Sequence, residues 1–162
     1  MKNIYLLVTV LLSFITLAKA QTEEKVDYCV QISRDTDAAQ GIRTYQSPEG
    51  RISIKNQVSA AGSTAAITFS TKEFALYEEE GLFIRFTDHH TLRFFGQHIE
   101  HKNYSPLSGY TYDTVLTLTP EQLEIFKTKK ISVFQIASID VEVDDDIATA
   151  FQAYVNCITG LK

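Results

Sequence analysis

The stretch DHHTLRFFGQHIEH, from Asp88 to His101, contains all four histidines of the chain. Asp88 begins it and Glu100 lies near its end, so imidazole and carboxylate groups, both ligands of transition metals, are concentrated in one short segment. A metal site needs three or four such groups around one point. Whether the histidines can meet depends on the secondary structure that carries them.

Apolar and polar residues alternate through this region, which is typical of strands with one buried face. We expect a three-stranded antiparallel meander with strands at residues 82–87, 91–95 and 98–102. A three-residue loop at 88–90 would place Phe86 opposite Leu92 and keep the apolar residues on one face. Gly96-Gln97 suits a type II′ turn, which favours glycine at its first central position.

This meander would separate most of the histidines by the length of a strand, at about 3.3 Å per residue. It would leave His90 and His101 as diagonal neighbours on one face, and two histidines without a third ligand make a weak zinc site. Two interpretations follow. Either the histidines are surface residues at hairpin ends, or His90 and His101 serve a metal-assisted enzyme with an unidentified third ligand.

The other face of the expected meander is rich in phenylalanine and arginine. Its members would be Phe83, Arg85, Arg93, Phe95, His98 and Glu100. We expect Phe83 and Phe95 to lie opposite each other, and exposed aromatic residues beside arginines are typical of protein-binding hot spots. If a helix or a second sheet covers this face, the two phenylalanines are core residues or line a pocket for a small apolar ligand.

The remaining pattern predicts further strands and two helices. Alternation predicts strands at residues 26–32 and 110–118, and Ser47-Pro48-Glu49-Gly50 suits a type I turn within a hairpin. Thr119-Pro120-Glu121-Gln122 predicts the start of a short helix with a capping box. A longer helix is expected at about residues 144–158, where apolar residues recur at helical spacing.

The chain has two cysteines, Cys29 and Cys157, and we expect them to form a disulfide. Cys29 would lie in the middle of the first strand and Cys157 in the last turn of the terminal helix. The bridge would hold a helix end that otherwise frays easily.

Residues 1–20 have the features of a cleaved secretory signal peptide: a short positive head, an apolar run and small residues at Ala18 and Ala20. The apolar run is too short for a membrane anchor. We therefore expect a single exported globular domain at residues 21–162, secreted or periplasmic, with no membrane span.

The formal net charge of −5 argues against nucleic acid as a partner. The familiar signatures of serine hydrolases, zinc proteases and nucleotide-binding loops are all missing from the sequence, and we expect no cofactor. These observations favour a non-catalytic protein over an enzyme.

The sequence therefore predicts a β-rich α+β domain. We expect an antiparallel sheet, a sandwich or a partly open barrel of about eight strands, with one short helix and a C-terminal helix packed on it. The favoured function is a binding module of inhibitor or envelope accessory type with an unknown protein partner. The alternatives are a metal-assisted enzyme and a carrier of small apolar ligands.

Overall fold

The computed structural model describes residues 26–161, apart from the side chain of Asn103. They form two antiparallel sheets and two α-helices. The strands are β1 (Ser33–Asp37), β2 (Ile42–Gln46), β3 (Ile52–Ser59), β4 (Gly62–Glu73), β5 (Gly81–Phe86), β6 (Thr91–Phe95), β7 (Glu100–Ser105), β8 (Gly109–Thr117), β9 (Ile131–Ile136) and β10 (Ile139–Glu142). One sheet has the order β1-β2-β3-β4-β8-β7, and the other has the order β10-β9-β5-β6.

The two sheets pack face to face as a sandwich and do not close into a barrel, so the predicted β-rich α+β class is confirmed. Alternation along β3, β4 and β5 sends every second side chain into the space between the sheets. Ile54, Ile67 and Phe69 enter it from the six-stranded sheet and are completely buried. Phe69 meets Phe134 of β9 with ring centroids 5.2 Å apart, which joins the two layers.

The two helices are α1 (Pro120–Thr128) and α2 (Asp145–Gly160). The predicted capping box is present: the Gln122 backbone N–H donates to the Thr119 hydroxyl, and the Thr119 N–H donates to the Gln122 side chain. Phe126 of α1 contacts the rings of Phe86 and Phe151, so α1 links the four-stranded sheet to α2. The apolar face of α2 is buried along most of its length.

The expected strand at residues 26–32 is wrong. Tyr28–Gln31 is a short 3-10 helix, and the Asp27 carboxylate caps it by accepting a hydrogen bond from the Cys29 N–H at 3.0 Å. A capping aspartate satisfies a free N–H at a helix start, which favours a turn over an extended strand. The predicted disulfide between Cys29 and Cys157 is nevertheless present, with a Cα–Cα distance of 5.5 Å.

The expected three-stranded meander is also wrong. β5 and β6 form a hairpin in the four-stranded sheet, but β7 pairs with β8 in the six-stranded sheet. The chain crosses between the sheets after Gly96, and the N–H group of the Gln97 side chain donates to the Val115 carbonyl at 3.0 Å. Gly96-Gln97 therefore begins a crossover and not a hairpin turn.

The β5–β6 hairpin has a three-residue loop, as expected, but its register differs by two residues. Ile84 lies opposite Leu92, and the loop comprises residues 87–89. The Phe86 N–H donates to the His90 carbonyl, and the His89 N–H donates to the Phe86 carbonyl. His89 has a φ of 66°, which fits a three-residue loop that ends in a left-handed residue.

The predicted signal peptide, residues 1–20, lies outside the described residues. Within residues 26–161, neither helix has the length and hydropathy needed to cross a bilayer.

We predict that Cys157→Ser lowers the melting temperature by about 10 °C. The bridge closes a loop with a sequence separation of 128 residues. Such a loop corresponds to roughly 3–5 kcal/mol of unfolding free energy in the chain-entropy description. Calorimetry of wild type and variant measures the shift.

The matched control is the double variant Cys29→Ser/Cys157→Ser, which should melt within a few degrees of the single variant because the bridge is already lost. Thiol titration of denatured, unreduced protein from its native compartment is the direct check. Two free thiols per chain would contradict the prediction.

Candidate functional site

The outer face of the four-stranded sheet carries four of the predicted site residues. We call Phe83, Arg85, Arg93 and Phe95 the outer patch. They project from β5 and β6 on the side opposite the core, because Leu82, Ile84 and Phe94 take the inward positions of the same strands. No other strand layer covers them within residues 26–161.

Register determines how the outer patch is arranged. Phe83 lies opposite Arg93, not opposite Phe95 as expected. The Arg93 guanidinium stands 5.4 Å from the centre of the Phe83 ring, which is a cation–π contact. Such a contact contributes about 0.5–1 kcal/mol at an exposed site and holds the guanidinium in a defined orientation.

Phe95 lies opposite Gly81 and is 89% exposed. Because Gly81 has no side chain, a hollow of about 370 Å³ opens beside the Phe95 ring. Its walls are formed by Glu80, Gly81, Leu82, Phe83, Arg93, Phe94, Phe95, Gln135 and Ala137. The hollow is apolar on its phenylalanine side and carries one cationic and one anionic group at its rim.

The free edge of β6 adjoins this hollow. The hydrogen bond from Phe86 to His90 marks a hydrogen-bonded pair, and such pairs alternate along an antiparallel ladder. Leu92 and Phe94 therefore direct their backbone groups toward β5, while Thr91, Arg93 and Phe95 direct theirs away from the sheet. Within residues 26–161, no strand pairs with this side of β6.

The other three edge strands, β1, β7 and β10, are more strongly protected than β6. Their charged residues are Arg34, Asp35, Asp37, Glu100, Lys102, Asp140 and Glu142. β7 also has an irregular register between Lys102 and Ser105, and β10 is only four residues long. Charges, irregular register and short length all discourage pairing of an edge with another strand. β6 has a single charge, Arg93, and a regular register.

The two remaining residues of the predicted patch lie elsewhere. His98 belongs to the crossover, and its Nδ1 is 3.4 Å from the carboxylate of Glu80 at the rim of the hollow. Glu100 begins β7 in the other sheet, where its carboxylate is 3.8 Å from Lys102. His98 therefore stays close to the outer patch, and Glu100 does not belong to it.

The structure does not place His90 and His101 side by side in one meander. His90 follows the β5–β6 loop and contacts the Phe86 ring, with centroids 5.8 Å apart. His101 lies on β7 against Tyr112, with centroids 5.0 Å apart. In the described part of the chain, no three histidine, cysteine or acidic side chains are grouped to hold a metal ion. The metal hypothesis stays a prediction without a geometric site.

Sequence reasoning missed four residues around the outer patch: Glu80, Gly81, Gln135 and Ala137. Gly81 carried a usable signal, because a glycine directly before an alternating run marks a place without a side chain on the strand face. Gln135 and Ala137 reach the hollow from β9 and its following turn, and only the pairing of β9 with β5 brings them there.

Ala137 has a backbone conformation that alanine disfavours. It is the first residue of the two-residue turn between β9 and β10, with a φ of 53°. Its N–H donates to the Gly81 carbonyl at 3.1 Å, which fixes the turn against β5. The left-handed region costs an L-residue about 1–2 kcal/mol, so this turn stores strain beside the hollow.

No known family model matches the chain, and neither the curated proteins nor the solved structures contain a match.

We predict that Ala137→Gly raises the free energy of unfolding by about 0.5–1 kcal/mol, because glycine accepts a positive φ. Ala61→Gly is the matched control. Ala61 lies in an exposed turn without a positive φ, so glycine there should lower stability by about 0.4–1 kcal/mol. Urea denaturation measures both values. Equal destabilisation of the two variants would show that Ala137 is not strained.

A second prediction concerns Asp88 in the β5–β6 loop. The ion pair with Lys129 and the hydrogen bond from the His90 N–H at 3.0 Å hold the pKa of the Asp88 carboxyl below its ordinary value. A lowered pKa in the folded state means that the ionised form stabilises the fold. This contribution is complete above the pKa of the unfolded chain and is lost as the pH falls through the folded-state pKa.

Lys129→Gln should raise the Asp88 pKa toward its ordinary value, as measured by the pH titration of the carboxyl carbon in NMR spectra. Lys130→Gln is the control, because Lys130 pairs with Asp145 at 2.9 Å and not with Asp88. An Asp88 titration that Lys129→Gln leaves unchanged would contradict the assigned cause.

Proposed function

We propose that this protein is an exported, non-catalytic binding module that adds an extended segment of a partner protein as a strand beside β6. The observation that carries the proposal is the free edge of β6 next to the 89% exposed ring of Phe95. Strand addition to a sheet edge gives affinity through backbone hydrogen bonds and specificity through alternate side chains.

The backbone of β6 supplies the first part of the recognition. Thr91, Arg93 and Phe95 each have an N–H and a carbonyl directed away from β5, as inferred from the ladder alternation. A bound strand would satisfy these groups, at a net contribution of about 0.5–1.5 kcal/mol per hydrogen bond.

The outer patch supplies the second part. A residue of the bound strand opposite Arg93 would lie against the guanidinium that Phe83 orients, which favours a carboxylate there. A residue opposite Phe95, two positions away on the same face, would lie against an exposed ring and favours an aliphatic or aromatic side chain. The expected partner segment thus has an acidic and an apolar residue separated by one position.

Export supports an extracellular or periplasmic partner. The signal-peptide pattern of residues 1–20 and the Cys29–Cys157 bridge both fit an oxidising compartment. A carrier of small apolar ligands would enclose its aromatic residues, and the exposure of Phe95 does not support that alternative at the outer patch. The enzyme alternative has no grouped metal ligands among residues 26–161 to support it.

We predict that heptapeptides selected from a random library on this protein share the spacing of one acidic and one apolar residue. In fluorescence polarisation, a selected peptide should bind wild type, and Phe95→Ser should raise its Kd at least about tenfold because the contact with the exposed aromatic ring is lost. Arg93→Gln should weaken peptides with the acidic residue and leave their neutral analogues unchanged.

The matched control is Val115→Ser. Val115 is an apolar side chain, 54% exposed, on a strand of the other sheet, and its loss should leave the Kd unchanged. Methylation of the peptide nitrogens that face β6 should abolish binding, and methylation of the alternate nitrogens should not. Peptides that bind Phe95→Ser as tightly as wild type, or that tolerate every methylation, would refute strand addition at β6.

A further inference from the structure

A second hollow, of about 440 Å³, lies where the six-stranded sheet meets the helices. The ends of β2, β3 and β4 form one wall, the first turns of α1 form another, and the C-terminal end of α2 closes a third. Its lining is Arg43, Asn56, Val58, Ser63, Ala65, Leu118, Thr119, Pro120, Leu123, Lys127, Thr159 and Leu161. This volume lies within the usual range for small-molecule sites, about 300–1,000 Å³.

Asn56 is the most informative residue of this hollow. It is only 3% exposed, and its Oδ1 accepts a hydrogen bond from the Ser63 hydroxyl at 2.7 Å. Its Nδ2 donates to no side chain or carbonyl among the described residues. Yet within residues 26–161 every fully enclosed side-chain nitrogen or oxygen has a partner. The Asn56 Nδ2 is therefore not fully enclosed, and because Asn56 lines the hollow, we infer that this donor faces it and can donate to a bound acceptor.

The walls around this donor are apolar. Val58 extends from β3 beside Asn56, and Leu118 and Leu123 flank the start of α1. All three are partly buried and pack against the core on one side, as does Leu161 after α2. Their other sides face the hollow, so an aliphatic chain would find apolar contact there in place of water.

The rim of the hollow is cationic. Arg43 pairs with Val58 in the β2–β3 ladder, which makes it a diagonal neighbour of Asn56 on the same face. Lys127 approaches from α1, and its Nζ is 2.6 Å from the Glu124 carboxylate. Glu124 is 65% exposed, so this ion pair is weak and a second carboxylate can compete for the ammonium group.

We propose that this hollow is a binding site for a small aliphatic carboxylate. The carboxylate accepts a hydrogen bond from the Asn56 Nδ2 and lies beside the ammonium group of Lys127. The aliphatic chain packs on Val58, Leu118 and Leu123. The site shares no residue with β6 or the outer patch, so it is independent of the proposed strand addition.

The test uses sodium octanoate as the probe and the full exported chain with its disulfide intact. Titration followed by amide chemical shifts should saturate, with the changes concentrated in residues 56–65 and 118–127. Acetate, which lacks the chain, and 1-octanol, which lacks the charge, should each bind at least about tenfold more weakly. Shifts that do not saturate, or octanol that binds as tightly as octanoate, would overturn the proposal.

Two variants locate the site. Asn56→Asp places a negative charge at the buried end of the hollow, where it repels the octanoate carboxylate, and should raise the octanoate Kd at least about tenfold. Lys127→Gln removes a rim cation without disturbing the buried Asn56 and should raise it up to about fivefold, the range of a solvent-exposed ion pair. It keeps the test decisive if Asn56→Asp does not fold.

Lys55→Gln is the matched control, because Lys55 lies on the outer face of the same sheet and should not affect the octanoate Kd. If Lys127→Gln and Lys55→Gln raise the octanoate Kd equally, the binding reflects the net charge of the protein alone, and a site at this hollow is refuted. Strand-peptide binding measured on the same variants should not change, which separates this site from the one at β6.

Discussion

The contact between Phe69 of β4 and Phe134 of β9 fixes the relation of the two sheets, and most other features follow from it. Both rings are completely buried, so β4 and β9 each commit one face to the space between the layers. Strand pairing then transfers that choice from β9 to β5 and from β5 to β6. Phe95 is exposed because its neighbour Phe94 packs against the core, and successive side chains of a strand point to opposite faces.

An open sandwich keeps its edges, and the strands of residues 26–161 leave four of them. Edge strands with several charges interact more favourably with water than with another strand. The strands β1, β7 and β10 are of this kind. β6 differs because its exposed face is built from Phe95 and a guanidinium held over Phe83. A single arginine discourages indiscriminate pairing, since two copies would set like charges close together in several registers. The same arginine attracts an acidic strand, so one residue both limits and directs association.

Alternation predicted which side chains of β5 and β6 face the core, and the structure agrees at every position from Leu82 to Phe86. The register predicted from the same alternation was wrong by two residues, because a shift of two residues keeps every side chain on the same face. The register of the hairpin depends on the left-handed conformation of His89. Histidine adopts this conformation more often than most residues, but the sequence pattern does not show where it does so. The capping box at Thr119 was predictable because all of its atoms belong to four consecutive residues.

Contacts between distant segments were less predictable. Gly96-Gln97 has the composition of a tight turn, and only the hydrogen bond to Val115 in the other sheet reveals a crossover. The strand assignment at Cys29 failed because the Asp27 carboxylate, a local polar group, outweighed the alternation around it. The hollow at Asn56 was not predicted from the sequence. Its walls come from β3, α1 and the end of α2, and no local pattern relates these segments.

The disulfide connects this last point to the two candidate sites. Thr159 and Leu161 line the hollow and follow Cys157 by two and four residues, at the end of a helix where fraying is easiest. The bridge to Cys29 restrains that end, so it holds one wall of the hollow as well as the helix. β6 depends on no such restraint, because its position is set by pairing with β5 and by the inward side chains of Leu92 and Phe94. Reduction of the disulfide would therefore loosen the hollow before it disturbs the β6 edge. The disulfide stabilises the first surface, whereas strand pairing and core packing stabilise the second.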